Sequence, residues 1–156
     1  MMPSVEAGLR RELGLTLVEA LTAVVALTVV IAVAIPMWRT HQLKVRRGEA
    51  IEALLAVQAA QDRYFATHAR YADSAQMSIA PPGGLGLRAA SERNAWSLQI
   101  ERAADALGYV AIARATDAGA AGGDPRCTDM RLDQHGRRSA FNSAGEDSSA
   151  DCWNRL

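Results

Sequence analysis

The sequence predicts an α+β protein in which one long N-terminal helix, membrane-embedded over its first half, packs on a small antiparallel sheet of three or four strands. Three observations carry this. Residues 20–38 (ALTAVVALTVVIAVAIPMW) hold no charged side chain, and only Thr22 and Thr28 are polar. Beyond them Ile51, Leu54, Leu55, Ala59 and Phe65 recur on one face at helical spacing, with Glu49, Glu52 and Arg63 elsewhere. Further on, residues 96–100 (WSLQI) and 109–113 (YVAIA) alternate as half-buried strands do.

Extended back to Leu15, the apolar stretch makes a helix about 35 Å long, enough for a hydrocarbon core of about 30 Å. A helix apolar on every face is hard to bury inside a chain of 156 residues. A cleaved secretory signal would have a shorter apolar region followed by its small-residue site. Here the small residue, Gly14, comes first. Continued through the amphipathic half to about Ala66, the helix would reach about 78 Å. Pro36 cannot donate its backbone hydrogen bond and crowds the preceding turn, so a bend or local melting is expected there. Gly48 adds a softer point, about 1 kcal/mol worse than alanine. The basic run before it reads as a solvated face or a headgroup anchor.

Residues 72–94 turn irregular, with Pro81, Pro82, Gly83, Gly84 and Gly86 marking a connecting loop. Residues 104–108 supply a hairpin turn between the first two strands. A third strand is expected over 129–133, a turn at Gln134, His135 and Gly136, and a short fourth strand near 138–141.

Seventeen basic and seventeen acidic side chains cancel, which removes a global electrostatic case for nucleic acid. Arg126, Arg131, Arg137 and Arg138 cluster in sequence; they read as solvated strand edges, with a basic patch as the alternative. The balanced charge and two cysteines exclude a disordered tail and a disulfide-dense miniprotein. Catalysis finds little support, because His41, His68 and His135 lack a recognisable nucleophile context and the glycines fit no phosphate loop. Asp129 and Asp133 stand without a dense run of oxygen ligands, and residues 143–151 (SAGEDSSAD) read as a solvated loop. No catalytic residue, metal site or cofactor is implied.

The leader boundary carries the most information. Arg10 and Arg11 precede Gly14, and Glu19 places a carboxylate one turn into the apolar helix. A charge there needs a partner and marks a functional site. Gly14 followed by LTLVEALTAVVALTVVIAVAIP resembles the class III signal of type IV pilins and pseudopilins. The resemblance implies that a prepilin peptidase cuts after Gly14 and that the new amine of Leu15 is methylated. It makes Glu19 the assembly glutamate and Pro36 the helix-bending proline. It also implies a leader at 1–14, a transmembrane and assembly half at 15–38, an amphipathic half at 39–66 and a globular head at 67–156.

Arg39, Lys44, Arg46 and Arg47 follow the span against Arg10 and Arg11 before it, and by count alone this favours the head on the cytoplasmic side. The resemblance implies the reverse: a single-pass inner-membrane protein with a periplasmic head, later part of an extracellular pilus. In that oxidising compartment Cys127 and Cys152 suit a disulfide, against two unrelated buried thiols. The run from Cys127 to Leu132, then His135 and Gly136, then Cys152 and Trp153, is similar to PilE-like minor pilins. The expected function is therefore a structural subunit, a minor pilin serving twitching motility, adhesion or DNA uptake. A type II secretion pseudopilin and a tip-located DNA- or surface-binding minor pilin are the alternatives. Expected partners are other pilins through the N-terminal helix, the prepilin peptidase, the inner-membrane assembly machinery and the membrane. Nucleic acid is permitted as a partner but unsupported.

Overall fold

The computed structural model describes residues 16–116 and 123–154. The chain divides into two compact units, Met1–Arg39 and Thr40–Leu156. Helix α1, Leu17–His68, contributes to both. Its expected start at Leu15 lies outside the described residues, and its C-terminal end comes two residues later than the expected Ala66.

In the first unit every described side chain is exposed, Leu17 by 82% and Trp38 by 63%. This is the property of an apolar surface awaiting lipid or another helix. The helix is α-helical through Pro36 without interruption, so the expected local melting does not occur. Thr22 and Thr28 turn their hydroxyls onto the carbonyls of Glu19 and Val25, at 2.9 and 2.8 Å, which satisfies both polar groups within the helix.

In the second unit four strands follow in the order β1-β2-β3-β4, all antiparallel: β1 Trp96–Arg102, β2 Tyr109–Ala115, β3 Asp129–Asp133 and β4 Arg138–Phe141. The first two extend two residues beyond the expected runs; the others match. Side chains alternate across the sheet, so Leu98, Ala113, Met130 and Ala140 form one inward row. Large and small residues alternate along it, which lets the layer interdigitate with the helix above. Gly136, at φ +75°, closes the β3–β4 turn in a conformation that L side chains rarely adopt.

The helix face that packs on this sheet matches the expected one only in part. Leu54 is buried and Ile51 packs against the core as expected, but Leu55 is 41% exposed and Ala59 is exposed, and Ala50, Val57 and Tyr64 are buried in their place. The true face also takes Arg47 and Gln61, which hydropathy alone places in solvent. Gln61 is accepted because its side chain reads like a strand: Nε2 donates to the Ala72 carbonyl and Oε1 accepts from the Ala72 N–H, both at 2.9 Å. A buried amide with both groups matched costs little.

Of the solvated loop expected over 143–151, residues 143–147 are exposed and non-helical as expected, but its last three residues begin a short helix, α2, Ser149–Trp153. The Ser148 N–H donates to the Ala140 carbonyl, and the Ala140 N–H donates to Ser149 Oγ. At the other edge, Leu98 N–H donates to the Ala89 carbonyl. The chain thus occupies both edges of its own sheet, which blocks strand addition there.

Candidate functional site

Gly14 and Leu15 lie outside the described residues. Glu19 stands in the first turn of α1, and Thr16 caps that turn: Thr16 Oγ1 accepts from the Glu19 N–H at 3.2 Å. Thr16 and Glu19 have the spacing of a capping box. A carboxylate here also complements the positive end of the helix dipole. The side chain itself is exposed, so its charge is available.

Cys127 and Cys152 are bonded, with Cα atoms 5.8 Å apart and both side chains buried. The bond ties the start of β3 to α2. Trp153 then seats against β4, its indole N–H donating to the Ser139 carbonyl at 3.0 Å. Asp147 closes the intervening loop: Ser149, through its hydroxyl and then its backbone N–H, holds this carboxyl below the usual carboxylate range.

The residue that sequence reasoning missed is Arg47. Instead of joining a solvated basic run, it is 5% exposed and pairs with Asp124, while Nη1 donates to the Asp151 carbonyl at 2.9 Å. One guanidinium therefore fastens α1 to segments just before both cysteines. A hydropathy pattern cannot find it, because the partner lies 77 residues away.

The arginine cluster disperses on folding. Arg131 bonds Asp129 at 2.7 Å and lies over Phe141, and that aspartate holds the guanidinium more firmly protonated. Arg137 pairs with Asp133 at 3.1 Å. Arg138 stacks over Trp153 at 5.3 Å, and neither it nor Arg126 has a carboxylate partner among the described residues. His68 stacks on Tyr64 at 4.1 Å, a helix-end contact. Among the described residues no group of three His, Cys, Asp or Glu side chains gathers as metal ligands.

An apolar N-terminal helix, a meander sheet and a disulfide that ties α2 to the start of β3 make up an α+β architecture of the pilin kind. The sequence matches the family described as "Type IV minor pilin ComP, DNA uptake sequence receptor" over residues 36–131. That span is more than half of the chain, and the chain belongs to this type IV minor pilin family. Among solved structures it is similar to a type IV pilin from Shewanella oneidensis, at 24% identity and a TM-score of 0.43, over 61% of this chain and 88% of that one. No curated protein matches it. The family is that of the type IV pilus, which separates this chain from the secretion pseudopilins.

Proposed function

We propose that this minor pilin serves DNA uptake, its head forming part of the surface that receives DNA at the pilus. The observation that carries the reading is the family match, whose description names a DNA uptake sequence receptor. Geometry adds Arg138, exposed and lying over the Trp153 ring without a carboxylate partner among the described residues, so its N–H groups remain for a phosphate. Arg131 and Arg137 are less suited, being neutralised by Asp129 and Asp133. The test is binding of duplexes to the full-length chain in detergent at several salt concentrations. A duplex carrying the uptake sequence should bind more tightly than a scrambled one, weaken steeply with salt, and bind less to Arg138→Glu. Equal affinity for both duplexes overturns the receptor role.

The subunit would reach that position by the pilin route. Cleavage after Gly14 would free the Leu15 amine for methylation, and residues 15–38 would anchor the chain with the head in the periplasm. Pro36 would bend the helix, and Glu19 would pair with the Leu15 amine of a neighbour. The exposed, uncharged helix surface supports the anchor, and the disulfide supports an oxidising compartment for the head. The reading gives the chain a structural role and no catalysis.

A further inference from the structure

Four cations follow the uncharged stretch: Arg39, Lys44, Arg46 and Arg47. Folding divides them. Arg47 turns inward onto Asp124, and Arg46 is engaged elsewhere. Lys44, the only lysine of the chain, is exposed and lines a cleft of about 460 Å³ with Leu43, Arg126 and Asn154. Arg47 and Asp151 line it too, and Asp151 has a partner of its own. Arg126 reaches this cleft from a remote part of the sequence. It precedes Cys127, and its backbone N–H donates to Asp124 Oδ1 at 3.2 Å. The disulfide and the Arg47–Asp124 pair therefore fix its backbone, while its side chain is exposed. Neither Lys44 nor Arg126 has an ion-pair partner among the described residues.

Two exposed cations sharing one cleft suit an anion with several oxygens to divide between them, which is what a phosphate offers. Place in the chain selects which phosphate. Lys44 follows Trp38, the last residue of the uncharged stretch, by six residues, a helical rise of about 9 Å. The headgroup layer outside a hydrocarbon core is about 5–7 Å deep on each side. A lysine stem reaches back over the difference. A DNA duplex, by contrast, rewards a row of cations along its backbone, and this cleft offers two.

We propose that the Lys44–Arg126 cleft receives the phosphodiester of an anionic phospholipid while the chain is inserted in the membrane, before assembly. The inference rests on the anchor reading of residues 15–38 and is independent of the DNA reading. An anionic headgroup attracts cations near its surface, whereas a zwitterionic one carries its own ammonium as a competitor. The cations beyond the span, whose count alone argues against a periplasmic head, thereby gain an interaction on that side of the membrane.

The test uses the single lysine as its reporter. Full-length chain is placed in nanodiscs of phosphatidylcholine, alone or mixed with phosphatidylglycerol, and exposed to an amine-acylating reagent. Modification is read on the Lys44 peptide by mass spectrometry. An ammonium held by phosphate is not nucleophilic, so Lys44 should react about fivefold more slowly in the anionic discs, and added salt should remove the difference. Surface potential alone would slow Lys44 equally in every variant. Arg126→Gln should instead lose most of the slowing, and Arg126→Lys should keep it; retention of the Cys127–Cys152 bond reports that both are folded. Retention of the chain in neutral discs reports the anchor separately. A chain that leaves the discs overturns both readings. One that stays inserted yet reacts equally in the two lipids overturns the headgroup contact and leaves the anchor standing. Full slowing in Arg126→Gln overturns the contact as well, and so does equal slowing in neutral discs by inorganic phosphate or by a DNA duplex.

Discussion

Tyr109 starts β2 with its ring edge-on to Tyr71, 4.8 Å between centroids, and its hydroxyl is buried without a hydrogen-bond partner in the protein. Burial, with Asp62, Tyr71 and Asp133 adding to it, pushes the phenol well above its ordinary value of 10.0. The fold therefore holds this group neutral. Its contribution is complete below about pH 10 and falls as pH rises beyond the ordinary phenol range. Tyr109→Phe removes a polar atom that gains nothing from folding and keeps the ring contacts, so it should stabilise the head by about 1 kcal/mol. Urea unfolding of the detergent-solubilised chain at pH 7 and pH 10.5 checks both points. The variant should lose less stability than wild type between the two. Gln61 is the opposite case, a polar side chain that packs well because both of its groups are matched by Ala72.

The element that organises the head is the second half of α1. Its buried face is set by which side chains find partners as much as by hydropathy, and Arg47 is the clearest instance. Arg47→Ala leaves Asp124 buried and unpaired, so a loss of about 3–5 kcal/mol is expected in the same unfolding measurement. Arg47→Ala/Asp124→Asn should recover part of it. The C-terminal loop makes a second element. With Cys127 and Cys152 separated by 25 residues, opening the bond by Cys127→Ser should cost about 2–5 kcal/mol and lower the protein's abundance. Membrane insertion should persist, because every described residue of the apolar stretch is exposed. Full abundance of Cys127→Ser would show that the loop is held chiefly by Trp153 and Arg47.

At the scale of the whole molecule, function depends on surfaces that a lone chain leaves uncovered. The apolar helix needs lipid or other pilins, and Glu19 in its first turn is the charge with most to gain from a partner. Glu19→Ala should insert into membranes normally but be depleted from sheared pili, measured as the ratio of pilus to membrane protein. The Thr16 cap remains in that variant, so a defect would report the carboxylate in assembly and not the start of the helix. Both sheet edges are filled by the protein's own segments, which leaves helix and side-chain surfaces, not strand addition, for subunit contacts.

The sequence by itself determined the elements whose signals are local: the uncharged stretch, the first two alternating strands and the turn at Gly136 between the two short ones that follow. These depend on neighbours within a few residues, so periodicity and turn chemistry suffice to read them. Only the tertiary structure decided that Ala50, Val57 and Tyr64 complete the buried face of α1, why Arg47 is inside, that residues after Ser148 form a helix, and that the clustered arginines divide between aspartates and aromatic rings. Each of those depends on a partner remote in sequence or brought alongside by strand register. A buried polar group is stabilised only once that partner is in place.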